Sequence, residues 1–483
     1  MSPTAQIPVA PRRARRGRRR LRPGLALTVT STLLVVACGG GDDDGGSAGG
    51  SDGDLPECPL AALEEADGPV ELRFWHTMSG VREDSLQQLT DEFNASQDKV
   101  VVSLTNNSSY EDQQEKYRAG LQTGDLPDVV QHQDIFLQQM IDTQTALPVG
   151  SCIEAEGYET DDFVDRTLAY YQVEGVQWAL PFNVSNPVLL YNRAAFGQAG
   201  LDPDDPPTTW EGVRDAAQSM KDAGFAAGMG LKLDSWHLEV FLSLAGQPFV
   251  NNANGRQDRA TEVTFDSEAG EEIFSFLGGM VEDGLAITNP GEGQGQFDNL
   301  LGIGAGDFGM TIDSSGALGE IFSILESGQY AAVDPAVAPL PGRVEEGAVP
   351  VGGAALYISA SEPAKQAAAW EFIKFATTPE KQAVWAAETG YVPVRTSSAE
   401  EAALQTRWEE VPGLRVAYDQ MIEGAENEAT AGAVIGPYQD VRDTIEQAEN
   451  GMFLESRDPA EALADAAAEA NSLIEDYNNR IGA

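Results

Sequence analysis

The side chains best placed for chemistry in this sequence are aromatic and small polar residues in short segments between regular elements. They are Trp75 and His76, Tyr110, Asn183 and Ser185, Trp236, Ser314 and Ser315, Gly352 and Gly353, and Tyr391. Aromatic faces with a few hydroxyl and amide groups suit a sugar or other polyol, whose C–H faces stack while its hydroxyls need directional partners. Taken singly, Trp75 and Trp236 read equally well as core, and the serines and glycines as ordinary turns. Catalytic patterns point elsewhere or nowhere. The three histidines, His76, His132 and His237, have no second His or Cys at ligand spacing, so no metal site is expected. No G-x-S-x-G elbow offers a nucleophile. The glycine-rich run from Gly291 to Gly309 lacks the P-loop pattern and reads as a loop. Paired carboxylates are too common in so acidic a chain to be informative. A secreted carbohydrate-active enzyme using two of them is the main alternative to a binding protein, and an adhesion module is a third reading. Nothing calls for a cofactor.

The elements that must position these residues alternate between strand and helix. Val70, Leu72 and Phe74 alternate with Glu71 and Arg73, as in a half-buried strand. Leu86, Leu89 and Phe93 follow at helical spacing. Lys99 to Leu104 is a β-branched strand, and Asp128 to Val130 a short buried one. Thr209 is placed to cap a helix carrying Trp210, Val213, Ala217 and Met220. Another helix starts at Ser361 and Pro363. The last has Asp458 as cap, Pro459 at its first position and an apolar stripe through Leu463, Ala466, Ala470, Leu473 and Tyr477. Such alternation argues for α/β layers with a mostly parallel sheet.

The start of the chain reads as a processing signal. Residues 1–37 carry eight arginines, from Arg12 to Arg22, and no Asp or Glu. A short apolar stretch from Leu25 to Val36 follows, as in a signal peptide. It ends Val35-Val36-Ala37-Cys38, which resembles a bacterial lipoprotein box with Cys38 as the lipidated residue. The alternative is an ordinary signal peptide with a chance cysteine. Residues 39–54 are almost wholly Gly, Asp and Ser, the composition of a flexible tether. Export leaves Cys58 and Cys152 for a disulfide, the alternative being two buried thiols. Cleaving the eight arginines takes the formal charge from −47 to −55. That excludes nucleic acid as a partner and leaves any anion site dependent on local donors.

Several collinear stretches resemble the extracellular solute-binding proteins of ABC importers, in the family that holds the maltose- and glycerol-3-phosphate-binding proteins. They are Phe74–Met78, Leu180–Asn192, Ala199–Pro203 with Thr209-Trp210, Met310–Gly316, Val351–Leu356 and Glu388–Pro393. Leu180–Asn192 and Thr389–Pro393 are most similar to the glycerol-3-phosphate branch. The resemblance implies a two-lobed α/β fold of the type II periplasmic-binding-protein kind, with hinge segments crossing between the lobes and ligand in the cleft. It places Tyr110, Asp134, Ser185, Trp236, Ser314 or Ser315, Gly352 or Gly353, and Tyr391 at ligand positions. Asp134 stands where the branch commonly has Glu. Leu233 stands where a Trp often precedes the one at Trp236, which implies a wider pocket. The branch also uses a late arginine on phosphate. Val434 aligns there, and Arg442, two helical turns on, is read as structural.

These readings imply a signal peptide over 1–37, a lipidated cysteine and tether over 38–56, lobe one over 57–186 plus 310–353, and lobe two over 187–309 plus 354–483. Crossings are expected near Asn186–Val188, Phe308–Met310 and Gly353–Leu356. The function implied is capture of a small polyol-type solute, a sugar, a glycerophosphodiester or glycerol 3-phosphate, by hinge closure and its delivery to membrane permease subunits. The protein is expected to be a monomer outside the cytoplasmic membrane, held there by an N-terminal lipid. Without an arginine on phosphate, a neutral sugar or zwitterionic glycerophosphodiester is expected to bind better than free glycerol 3-phosphate.

Overall fold

A computed structural model describes residues 55–290, 298–328, 330, 332–342 and 347–482; the expected signal peptide, Cys38 and nearly all of the tether lie outside the described residues. The strands are β1 (Val70–His76), β2 (Val100–Asn106), β3 (Val129–Gln133), β4 (Ala146–Leu147), β5 (Gln172–Val173), β6 (Val176–Gln177), β7 (Leu180–Ser185), β8 (Pro187–Asn192), β9 (Met229–Leu233), β10 (Ala286–Pro290), β11 (Met310–Ser314), β12 (Pro335–Pro339) and β13 (Gly352–Ser359). A first sheet runs β2-β1-β3-β13-β4, with β7 also paired to β13. A second runs β10-β9-β11-β8-β12, and β5 and β6 form a small hairpin. Each large sheet anchors one lobe.

The sheets are mixed, not mostly parallel. β1 is parallel to β2 and β3, and β9 to β10 and β11. β13 is antiparallel to β3, β4 and β7, and β8 to β11 and β12. The antiparallel strands include those that pass from sheet to sheet. β7 and β8 are separated by Asn186 alone, so no crossover helix intervenes to enforce a parallel return. Both strands are buried at every residue, which explains their near-continuous apolar sequence. β1 buries Val70, Leu72 and Phe74 and exposes Glu71 and Arg73, as the alternation requires.

The first crossing falls at Asn186, where it was expected; the other two do not. β11 pairs with β8 in the second sheet, Met310 opposite Tyr191, so the next crossing is at Ser314-Ser315 and not at 308–310. β12 also belongs to the second sheet and β13 to the first, and Ala348 still bonds Ser243 of the second lobe, which puts the third crossing between Ala348 and Gly352. Residues 310–314 and 335–339 therefore leave the expected lobe one. Residues 354–359 join 352 and 353 in it, with the helices Pro363–Ala376 and Pro379–Thr389 that pack on β1 and on the helix Val81–Ser96. Sequence alone does not say which sheet a strand joins, and β11, β12 and β13 were misassigned for that reason. The glycine-rich run also differs from expectation, because Asp298–Ala305 is helical. Its Gly302 lets the Phe308 ring approach where a β-carbon would collide.

The helix starts follow the sequence. Ser109 Oγ accepts from Asp112 N, Thr209 Oγ1 from Gly212 N at 3.1 Å, and Asp458 Oδ1 from the amides of Ala460 and Glu461. Cys58 and Cys152 form a disulfide with Cα atoms 4.9 Å apart. It fastens the segment before the short turn Leu60–Leu63 to the buried side of the helix Val149–Glu156.

Candidate functional site

A cavity of about 370 Å³ opens between the lobes. The first lobe contributes Tyr110, Asp134, Ser185, Gly352, Gly353 and Tyr391 to its wall, and the second Lys232, Trp236, Asp313, Ser314 and Arg442. Residues far apart in sequence meet here because both sheets aim strand ends and helix starts at the same space.

Each side chain is held by its element. Tyr110 opens the helix Tyr110–Thr123 just after Ser108, whose φ is +70°. Its hydroxyl accepts from Asn183 Nδ2 at 3.1 Å, and Asn183 Oδ1 accepts from Gln131 Nε2 at 2.7 Å, so β7 and β3 orient the ring. Burial holds the Tyr110 phenol well above its ordinary range, so it stays neutral. Tyr391 follows the left-handed Gly390 that ends its helix and stacks on Trp385, ring centroids 5.7 Å apart and planes at 6°. The indole of Trp236 reaches across from the second lobe to Gly352, where a β-carbon would sit 3.1 Å from its Cζ2. Gly353 has φ +98°, and a side chain there would collide with the Asn183 carbonyl. These two glycines bring the backbone of β13 up to the cleft.

The charged groups form two sets. Asp134, on the short turn Asp134–Phe136, has its carboxyl pushed up to about 7, first by burial and further by Glu239, against the pull of Arg442 and two backbone amides. Arg442 lies on the helix Tyr438–Glu455, one turn after Tyr438, with its guanidinium 5.3 Å from that ring's centre. Its Nε and Nη2 donate to Glu239 Oε1 and Oε2 at 2.7 and 2.8 Å. In the other set, Lys232 Nζ donates to Asp313 Oδ1 at 2.7 Å, which also accepts from Ser314 N. Arg82 is in the wall as well and donates to Ser79 Oγ.

Eight of the expected residues thus line one cavity: Tyr110, Asp134, Ser185, Trp236, Ser314, Gly352, Gly353 and Tyr391. Ser315 does not. It is fully buried, and its hydroxyl accepts from Asn186 N at the first crossing. Trp75 and His76 are core; Lys116 Nζ sits 3.9 Å from the Trp75 ring centre, and His76 Nδ1 accepts from Met78 N. Leu233 lies at the end of β9, packed against the second core and outside the wall. Arg442 corrects the largest expectation. It lines the cleft, whereas Val434 is buried core, so a late arginine is present after all. Its helix opens just after Gly436-Pro437, a breaker that could have set the register of this segment. Lys232 and Asp313 carried no signal beyond their types.

Among the described residues, no group of three or more His, Cys, Asp or Glu side chains could hold a metal ion. No described helix is long and apolar enough to cross a membrane. Two sheets, three crossings and a polar cleft walled by both lobes define the class: a hinged receptor for a small solute.

The chain belongs to the bacterial extracellular solute-binding protein family, whose pattern matches residues 88–413. The sn-glycerol-3-phosphate-binding periplasmic protein UgpB of Escherichia coli K12 is 27% identical over 427 residues, 86% of this chain and 95% of that one. The cyclic α-maltosyl-1,6-maltose-binding protein of Arthrobacter globiformis is 25% identical in sequence, with a TM-score of 0.68 over 85% of this chain and all of that one. Mycobacterium tuberculosis UgpB, solved in complex with glycerophosphocholine, shares the fold with a TM-score of 0.72 over 85% of this chain and 99% of its own, at 23% identity. The chain is thus an ABC-importer substrate-binding protein, a class whose members deliver small solutes to membrane permeases.

Proposed function

We propose that the cleft takes a small polyol-type solute carrying one anionic group, and that a glycerophosphodiester fits it better than a neutral sugar or glycerol 3-phosphate. The observation that carries this reading is Arg442 in a wall that also offers the Trp236 and Tyr391 rings and the Ser185 and Ser314 hydroxyls. An arginine suits a phosphate oxygen, the rings suit C–H faces, and the hydroxyls suit a glyceryl group. Asp134 faces the same space and suits a hydroxyl or a cationic head group. The relatives' own ligands, glycerol 3-phosphate and glycerophosphocholine, span this chemistry. No bond is made or broken. Solute bridging both lobes stabilises the closed arrangement, with bending at Asn186, at Ser314-Ser315 and between Ala348 and Gly352. The protein acts as a monomer, anchored through lipid on Cys38 and presenting its closed form to permease subunits.

The test is a thermal-shift and calorimetric screen of the chain from residue 55 onward. Its arms are glycerophosphodiesters, glycerol 3-phosphate and maltose-type sugars. The expected result is saturable binding, tightest for a glycerophosphodiester. Tightest binding of a neutral maltose-type sugar would refute the role given to Arg442. Mass spectrometry of the exported protein tests the anchor, through a diacylglyceryl mass on a chain starting at Cys38.

A further inference from the structure

We propose that Glu239 sets the charge of the solute the cleft accepts, holding Arg442 so that the site favours phosphodiesters over phosphate monoesters. This rests on the reading of the cleft given above. Glu239 lies one turn past Trp236 on the helix Trp236–Leu244, behind the cleft wall. It takes both members of the guanidinium fork, and the paired side chains are 9% and 10% exposed, so water screens the pair little. Burial works against the Arg442 charge, yet Glu239 outweighs it and the guanidinium stays protonated. Among the described residues Nη1 has no hydrogen-bond acceptor, and it is the donor left for a solute.

The charge balance follows. Arg442 brings one positive charge that Glu239 already offsets, and Asp134 faces the same guanidinium from the other lobe. Of the other cations in the wall, Lys232 is offset by Asp313, whereas Arg82 is held through Nη2 by the neutral Ser79 hydroxyl and keeps its charge. A phosphodiester brings one negative charge, whereas a monoester brings about −1.5 to −2 near neutral pH. The carboxylates of the wall, Glu111, Asp134, Asp234 and Asp313 with Glu239 behind it, outnumber Arg82, Lys232 and Arg442, so the second charge of a monoester is repelled. Glu239 touches no solute in this arrangement; it is a positioning residue that acts through Arg442.

Glu239→Gln keeps the shape and one acceptor while removing the charge. Calorimetry at pH 8 with glycerol 3-phosphate and with glycerophosphoglycerol, a diester without a cationic group, reads the effect as a ratio of affinities. The wild type should favour the diester, and the variant should move that ratio toward the monoester by about tenfold. A merely structural role would weaken both ligands in parallel and leave the ratio unchanged, which would overturn the proposal. A second measurement needs no variant. As pH falls from 8 to about 5.5 the monoester gains its second proton, near pH 6, and the wild-type ratio should shift the same way. A ratio that stays constant across that range, or a wild type that prefers the monoester at pH 8, would also overturn it. Binding of neither ligand would overturn the reading of the cleft itself.

Discussion

Asp134→Asn should stabilise the protein while impairing solute capture. The Asp134 carboxyl is buried, and burial pushes its pKa in the folded protein up from the ordinary 3.8 of an aspartate to about 7. A carboxyl raised in this way favours folding in its protonated form, so its contribution is intact below pH 3.8 and lost as pH rises toward 7. Three pH units at about 1.4 kcal/mol each put the full penalty at roughly 4 kcal/mol above pH 7. At pH 5 only about one unit has been lost, roughly 1.6 kcal/mol. The asparagine variant cannot ionise, so its gain over the wild type should grow by about 3 kcal/mol between pH 5 and pH 8. Glu446 and Glu449 are also raised, first by burial, but are common to both proteins and cancel. Equilibrium urea denaturation of both proteins, without solute, at the two pH values measures the difference. A gain that is equal at both values, or a variant less stable than the wild type at pH 8, would refute the reasoning. Stability sacrificed at a cleft residue is itself a mark of a site kept for binding.

Removing the disulfide by Cys58→Ser should cost about 4 to 5 kcal/mol, because it releases a loop closed across 94 residues of separation; thermal melting of the exported protein checks it. Gly353→Ala should destabilise by about 2 kcal/mol or more, since φ is +98° and the new methyl meets the Asn183 carbonyl; denaturation curves measure it, and solute binding should weaken with the displaced Tyr110. Trp236→Ala should weaken solute binding by about 2 kcal/mol with little change in melting temperature, because the ring is only partly buried against its own lobe; calorimetry and melting on one sample separate the two effects.

Much of the site was legible because its residues are of types that rarely sit between elements for packing alone. Tyr110, Trp236 and Tyr391 are large, and all three reach the cleft from helix starts or ends. The same logic failed for Trp75 and His76, which sit at the end of β1 but face inward; spacing does not say on which side of a terminal residue the core continues. Arg442 was misread for a different reason. A lone arginine inside an amphipathic helix looks like any surface arginine, and only the turn relating it to Tyr438 places it against Glu239. Of the strands, only β1, β2 and β3 were read from alternation and β-branching; β11 and β13 stood out only as stretches of resemblance, and their sheets were misplaced because pairing across crossings is a long-range choice. The disulfide followed from parity once export was assumed.

The most direct measurement is titration of the chain from residue 55 onward with a glycerophosphodiester, followed by recovery of the solute. One solute should bind per chain with saturation, and nuclear magnetic resonance should find it chemically intact after prolonged incubation. Closure about the three crossings should reduce the radius of gyration in small-angle scattering on saturation. A solute converted to product, or saturation without any change in scattering, would contradict a hinged receptor that binds without reacting.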